Sequence, residues 1–99
     1  MPIASPRYAF TKSMVAGAPR DPGVFALWEH DELIYYGRAL GGEATIQSSL
    51  RQHLESRHGC LSRATHYGWE ITGNARAREA ELLREHRSQY GDVPRCNAR

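Results

Sequence analysis

The residue whose position most directly suggests chemistry is Glu79. It lies four positions before Leu83 in a predicted helix and therefore points toward the same apolar face. A carboxylate at the edge of a buried face must form an ion pair, bind a metal ion or hold its proton more tightly. Helix geometry alone favours an ion pair with an arginine. Glu79 is thus a candidate metal ligand, with a structural ion pair as the alternative.

A second polar cluster, YYGR, begins at Tyr35 and ends a predicted strand. Neighbouring side chains of a strand point to opposite faces, so at most one of Tyr35 and Tyr36 can join any single site. The alternative is that Tyr36 belongs to the core and Tyr35 is an edge aromatic. On the helix that follows, Arg51 lies between Leu50 and Leu54, which is also typical of a solvated surface arginine.

The histidines and cysteines give no recognisable site. No Ser/His/Asp triad or phosphate-binding glycine loop is present, and the five histidines lack ligand spacing: His30, His53, His58, His66 and His86. We expect Cys60 and Cys96 to be free thiols, because no secretory signal precedes them. His58 and Cys60 are the one close His/Cys pair, and a zinc site needs more partners than these two.

The elements that must position these residues follow from the hydrophobic pattern. Residues 24–28 and 33–36 are rich in strand formers and are separated by a short polar turn, which predicts an antiparallel hairpin. Both strands carry large apolar side chains at odd and at even positions, which point to opposite faces of the sheet. Helices should therefore cover both faces.

The remaining pattern predicts a helix, a strand and a second helix. Thr45 is a suitable N-cap for a helix to about Arg57, residues 64–72 alternate as a strand, and Asn74 and Gly91 bound the last helix. The expected buried residues of the two helices are Ile46, Leu50 and Leu54, then Ala80, Leu83 and Tyr90 with Leu82 beside them. The predicted fold is α+β, a small three-stranded antiparallel sheet flanked by helices. Residues 1–21 are expected to form an irregular lead-in, in which a short helix around residues 11–16 is one option, and 22–99 a single domain.

Composition narrows the class of protein. The chain has 99 residues, of which 40% are apolar and 24% charged, as in ordinary globular domains. Its net charge of +2 permits nucleic acid as a partner without establishing it. Twelve of the thirteen cations are arginines, whose planar fork suits phosphate, although arginine-rich coding gives the same count. Apolar runs are too short for a membrane span.

Several of these segments together resemble the GIY-YIG nuclease family. The resemblance covers about residues 22–97, in the same order of elements, and rests on GVF at 23–25, YYG at 35–37, helical Arg51, helical Glu79 and terminal Asn97. It implies a divalent-metal-dependent endonuclease that hydrolyses phosphodiester bonds of nucleic acid, with DNA favoured, using Mg²⁺ or Mn²⁺. Apart from the resemblance, we expect no membrane association and a cytoplasmic location. A homodimer or a larger assembly is left open.

The resemblance also implies roles for individual residues. Glu79 would be the metal ligand, Arg51 would bind the phosphate, and Tyr35 would orient or deprotonate the attacking water. Arg38 would be a second cation near the phosphate, and Asn97 a hydrogen-bonding residue that organises the site. A single carboxylate suits Mg²⁺, which keeps most of its waters and takes substrate phosphate into its coordination shell.

The chain departs from the family at Phe25, which stands where the family has a tyrosine. Phenylalanine has no hydroxyl to relay a proton, so that task would pass to Tyr35 or to His53, which we place near the substrate. Two alternatives follow. The domain would bind nucleic acid with weak or no catalysis, or it would be a protein-interaction domain that retains only the architecture.

Overall fold

The computed structural model describes residues 2–56 and 59–97. The elements follow one another as β1 (Tyr8–Ala9), α1 (Lys12–Val15), β2 (Gly23–Glu29), β3 (Glu32–Ala39), α2 (Ile46–Glu55), a 3-10 helix (Gly59–Arg63), β4 (His66–Ile71) and α3 (Ala75–Tyr90). The predicted order of strand, strand, helix, strand and helix is confirmed from β2 onward.

The sheet has four antiparallel strands in the order β1-β4-β2-β3, one strand more than predicted. The additional strand, β1, has two residues, and Tyr8 pairs with Tyr67 of β4. A two-residue strand lacks the alternation that identifies longer strands, so its pairing depends on β4 being in place. β2 is central, and β3 forms one edge of the sheet.

The segment expected to be an irregular lead-in therefore contains ordered structure. It includes β1 and the short helix α1, which begins at the N-cap Thr11. Phe10, Val15 and Ala18 belong to the same buried cluster as the sheet. Residues 8–18 thus contribute part of the core. Burial of their apolar side chains lowers the free energy of the folded state, although the segment contains little regular structure.

Helices cover both faces of the sheet, as predicted. α1 and α2 pack on one face, where Ile46 and Leu50 join Phe25 and Leu27 in one cluster. α3 packs on the other face, where Leu82 joins Val24 in a second cluster. The apolar side chains of β2 are therefore buried on both faces of the sheet.

The hairpin of β2 and β3 pairs Phe25 with Gly37 and Leu27 with Tyr35. A shift of register follows, because Trp28 pairs with Leu33 and leaves one extra residue in β3. A Cβ at Gly37 would lie only 2.3 Å from Cζ of Phe25. The glycine of the YYG segment thus allows the phenylalanine ring to lie directly against the neighbouring strand.

Helix α2 begins as predicted. The Thr45 hydroxyl accepts a hydrogen bond from the Ser48 N–H at 3.0 Å, and the Ser48 hydroxyl accepts one from the Thr45 N–H at 2.9 Å. The helix ends at Glu55, before the predicted end at Arg57, which together with His58 lies outside the described residues. A 3-10 helix then begins at Gly59.

Helix α3 has the predicted ends but a different buried face. Gly91 closes it with a φ of 87°, the left-handed conformation that glycine adopts readily, whereas Asn74 occupies the N-cap without a side-chain hydrogen bond. Leu82 is fully buried, while Ala80 is exposed and Tyr90 is 67% exposed. The fully buried residues of α3 are Ala75 and Leu82, and the predicted Leu83 packs, partly buried, against the same cluster.

The two cysteines form a disulfide, so the expectation of free thiols is wrong. Cys60 lies in the 3-10 helix and Cys96 near the end of the chain, 36 positions away. The Cys96 N–H donates to the carbonyl of Ile34 at 2.8 Å and so holds the terminal segment against the edge strand β3. Sequence spacing does not reveal that these two segments meet.

Within residues 2–56 and 59–97, no helix is both long and apolar enough to cross a lipid bilayer.

Candidate functional site

The Glu79 carboxylate forms an ion pair with Arg38. Nη1 of Arg38 donates to Oε1 of Glu79 at 2.6 Å and joins the edge strand β3 to helix α3. The Glu79 side chain is only 13% exposed, whereas that of Arg38 is 38% exposed. The ion pair predicted as the simplest outcome for Glu79 is confirmed, and its partner is the arginine next to the YYG segment.

Tyr35 lies between these charges and an aromatic cluster. Its ring packs against Phe25, with centroids 6.3 Å apart, and against His53, with centroids 5.5 Å apart. Burial raises the pKa of the Tyr35 hydroxyl above its usual value of 10, Glu79 raises it further, and Arg38 opposes this. Tyr35 is therefore a protonated hydroxyl at neutral pH, within the electrostatic reach of the Arg38–Glu79 pair.

His53 reaches this cluster from α2. Its imidazole also contacts the Phe25 ring, with centroids 5.7 Å apart, and burial lowers its pKa below the usual 6.5. Because a half-buried imidazole with a lowered pKa is unprotonated at neutral pH, His53 can accept a proton there. Phe25, Tyr35 and His53 thus form one aromatic cluster between the hairpin and α2.

These residues straddle the edge strand. Arg38 and Tyr35 are three positions apart in β3, so their side chains leave opposite faces of the sheet. Glu79 meets Arg38 on the α3 face, and His53 meets Tyr35 on the α2 face. We call Tyr35, Arg38, His53 and Glu79 the edge cluster.

Arg51 forms no hydrogen bond or ion pair with the residues of the edge cluster. Its Nη2 donates to Oε1 of Gln47 at 3.1 Å, one turn earlier in α2. It lines a hollow of about 480 Å³ together with Ser48, Gln52 and Glu55. The predicted phosphate ligand thus lies on the same helix as His53 but, two positions away and therefore about 200° around the helix, points to a different side of it.

Asn97 binds the main chain of β3 behind the cluster. Its Oδ1 accepts from the Tyr36 N–H at 2.8 Å, and its Nδ2 donates to the Tyr36 carbonyl at 2.9 Å. These two bonds satisfy backbone groups on the free edge of the sheet. Asn97 therefore positions the strand that carries Tyr35 and Arg38 through the main chain of Tyr36.

No group of three His, Cys, Asp or Glu side chains among the described residues is arranged to hold a metal ion. A cavity of about 690 Å³ lies on the α3 face, lined among others by Trp28, Tyr36 and Tyr90. Neither Tyr35 nor Glu79 lines it. A cation at the edge cluster would therefore depend on Glu79 as its one carboxylate ligand.

No family model matches the chain, and no curated protein sequence matches it. Two solved structures do: point mutants of the GIY-YIG N-terminal endonuclease domain of UvrC from Thermotoga maritima, both described as bound to a catalytic divalent cation. Each has a TM-score of 0.67, at 24% and 23% identity, and the match covers 89% of this chain and 94% of the other. This chain has the GIY-YIG endonuclease fold.

The segments that carry the resemblance to the family lie on neighbouring elements of the GIY-YIG fold. GVF and YYG lie on the paired strands β2 and β3, Glu79 lies on α3, and Asn97 lies at the edge of β3.

The sequence did not reveal the contact between Arg20 and Gln47 or the disulfide. The one signal available for the first was a polar Gln47 beside Ile46 on the apolar side of an amphipathic helix.

Proposed function

We propose that this protein is a divalent-metal-dependent endonuclease that hydrolyses phosphodiester bonds in nucleic acid, with DNA as the first substrate to test. The observation that carries the proposal is the Glu79 carboxylate, which is nearly buried at the edge of a GIY-YIG fold and lies beside Arg38. At such a pair the carboxylate can bind a metal ion while the neighbouring guanidinium binds a phosphate oxygen.

The donor set fits a magnesium or manganese ion. Oε1 of Glu79 is bound to Arg38, and Oε2 makes no hydrogen bond to any of the residues 2–56 and 59–97. One available carboxylate oxygen is what Mg²⁺ needs from a protein when waters and substrate phosphate complete its octahedral shell. When bound, the cation would act as a Lewis acid on the scissile phosphate and stabilise the leaving oxygen.

The other residues of the edge cluster supply binding and proton transfer. Arg38 is 38% exposed, and the donors it does not give to Glu79 can bind a phosphate oxygen. His53 is unprotonated at neutral pH and accepts the proton of the attacking water, while Tyr35 keeps its proton and orients that water by hydrogen bonding. The assignment of the base to His53 compensates for the missing hydroxyl at Phe25.

Arg51 and Asn97 support the same reaction from outside the cluster. Arg51 is exposed on α2, where it can bind a phosphate of the substrate. Asn97 holds the main chain of Tyr36 and thereby the orientation of β3. The cytoplasmic location, the homodimer and the domain boundary at residue 22 stay predictions.

The test is cleavage of supercoiled plasmid, linear duplex, single-stranded DNA and RNA with Mg²⁺, with Mn²⁺ or with EDTA. We expect cleavage that requires the metal and falls at least ~100-fold in Glu79→Gln, since a metal ligand contributes several kcal/mol to the transition state. Glu81→Gln is the matched control, because Glu81 lies on the same helix and is also paired with an arginine. Cleavage that survives Glu79→Gln would contradict the proposal.

A nucleic-acid-binding domain without catalysis is the second candidate function, and Phe25 favours it. The ring is 1% exposed and carries no hydroxyl near Tyr35. Phe25→Tyr separates the two candidates. If His53 already serves as the base, the added hydroxyl leaves turnover unchanged, whereas cleavage that appears only in Phe25→Tyr would show that the natural chain binds without cutting.

A further inference from the structure

We infer that Arg20, Gln47 and Arg51 form an anion site that takes a second backbone phosphate of the nucleic acid, away from the edge cluster. Nε of Arg20 donates to Oε1 of Gln47 at 3.2 Å, and Nη2 of Arg51 donates to the same oxygen at 3.1 Å. Two guanidinium groups from segments far apart in the chain thus meet at one neutral acceptor. The inference rests on the proposed function, because it names a further contact with the same substrate.

Gln47 is built into the fold so that its oxygen faces the two arginines. Its side chain is 5% exposed, and Nε2 donates to the carbonyl of Ala16 at 2.7 Å, which fixes the orientation of the amide. Its backbone N–H donates to the carbonyl of Pro19 at 2.9 Å. The segment that carries Arg20 is therefore tied to the start of α2 by both the side chain and the main chain of Gln47.

Among residues 2–56 and 59–97, no carboxylate forms an ion pair with either arginine of this pair. The positive charges of Arg20 and Arg51 are therefore not offset by a carboxylate of the described residues. A neutral amide holds the two cations near each other without offsetting their repulsion, whereas a bound anion would offset it. Each guanidinium has five N–H donors and gives one to Gln47, so most of its donors remain for a ligand.

The charges around Arg51 favour an anion held jointly by the two arginines. Glu43 and Glu55 line the hollow next to Arg51, and Arg20 is not part of that hollow. The two glutamates repel an anion from the hollow, whereas the contact of Arg20 with Gln47 adds a second positive charge beside Arg51. Phosphate suits this geometry, because planar guanidinium groups bind its oxygens through paired hydrogen bonds.

The position of the pair suggests the path of the substrate. Arg51 lies two residues before His53 on α2, and Arg20 lies just before β2, where the Asp21 carbonyl accepts from the Ile46 N–H. A strand bound at the edge cluster through one phosphate would continue over the N-terminal half of α2. Arg20 is thus assigned a role in substrate binding that no sequence motif indicates.

The test is the salt dependence of DNA binding, measured by fluorescence anisotropy in EDTA so that no cleavage occurs. We expect Arg20→Gln to weaken binding several-fold and to reduce the slope of log K against log salt concentration by about 0.7 for single strands or 0.9 for duplex, the value of one phosphate contact. Arg76→Gln is the matched control, because Arg76 is exposed on α3, on the opposite face of the sheet.

A second variant separates positioning from charge. Gln47→Met keeps both arginines and removes the oxygen that holds them together, so affinity should fall at every salt concentration while the slope stays unchanged. Thermal unfolding of each variant establishes that it is folded at the temperature of the binding experiment.

The outcomes distinguish this inference from the proposed function. If the natural protein does not bind any nucleic acid, the proposed function fails and the inference fails with it. If the protein binds and cuts, but Arg20→Gln keeps the natural affinity and slope, the inference alone is overturned. Equal losses in Arg20→Gln and Arg76→Gln would also overturn it, since they would reflect net charge and not a site.

Discussion

Nη1 of Arg38 lies 2.6 Å from Oε1 of Glu79, so the proposed metal ligand is already engaged by a cation of the protein itself. The pair joins residues 41 positions apart on β3 and α3. A buried carboxylate usually serves either in a structural ion pair or as a metal ligand. The Glu79 carboxylate is suited to both roles. The arginine holds Glu79 in place, and a divalent cation must bind beside it or displace it.

This arrangement predicts that Arg38→Gln binds a divalent cation more tightly. Removal of the guanidinium frees Oε1 of Glu79 and removes a repulsive charge, so we expect the Mn²⁺ affinity to rise several-fold while the affinity for DNA falls. Isothermal titration with Mn²⁺ measures the first effect and anisotropy the second. Arg84→Gln is the control, because Arg84 is exposed on α3, the helix that carries Glu79. An unchanged Mn²⁺ affinity would contradict a cation site at Glu79.

The contact between Phe25 and Gly37 predicts that Gly37→Ala is destabilising. The new Cβ would lie 2.3 Å from Cζ of the buried ring, and such overpacking typically costs about 1–3 kcal/mol. Urea unfolding measures the loss, and Gly73→Ala is the control, because nothing lies within 4 Å of its Cβ. In a double-mutant cycle, Phe25→Leu should recover part of the stability lost in Gly37→Ala. Strict additivity would show that the ring is not the cause.

The lowered pKa of His53 predicts a loss of stability in acid. Burial places the folded-state pKa below the unfolded value of about 6.5. Between these two pKa values the unfolded chain binds more protons, so the free energy of unfolding rises with pH there. The contribution is complete above about pH 6.5 and is lost as the pH falls through the folded-state pKa. Urea unfolding from pH 8 to pH 4.5 should show this dependence, and His53→Gln should remove it.

The pH dependence of the cleavage rate should also depend on His53. If His53 is the base, the rate falls on the acid side as the imidazole becomes protonated, and His53→Gln lowers the rate and flattens that limb. A variant with the natural pH profile would assign the base elsewhere.

The disulfide predicts a dependence of stability on redox state. Cys60 and Cys96 are 36 positions apart, and opening a loop of that length costs about 4 kcal/mol in the chain-entropy description. Denaturant unfolding of the protein with and without dithiothreitol measures this loss, and the paired change Cys60→Ser with Cys96→Ser should reproduce it.

Local exchange separates this effect from a general loss of stability. Because Cys96 and Asn97 bind the edge of β3, reduction should accelerate hydrogen exchange at the Tyr36 amide more than at the Leu27 amide of the central strand. Equal acceleration at both amides would mean that the terminal segment has no local effect on β3.

Much of the fold could be predicted because its signals are local. The hairpin follows from two runs of strand formers, and the start of α2 follows from the Thr45 hydroxyl, which accepts within its own helical turn. The polarity pattern of β2 also determined that helices cover both faces of the sheet. Each of these features depends on residues close together in the chain, so composition and spacing are enough to specify them.

The sequence by itself thus determined the order of the elements and which polar residues were available for chemistry. Tertiary structure decided which of them meet: Arg38 with Glu79, Tyr35 with His53, and Arg20 with Arg51 at Gln47. It also decided the pairing of β1 with β4 and of Cys60 with Cys96. These contacts join segments far apart in the chain, and their geometry is set by the packing of helices on the sheet, which no local pattern of residues encodes.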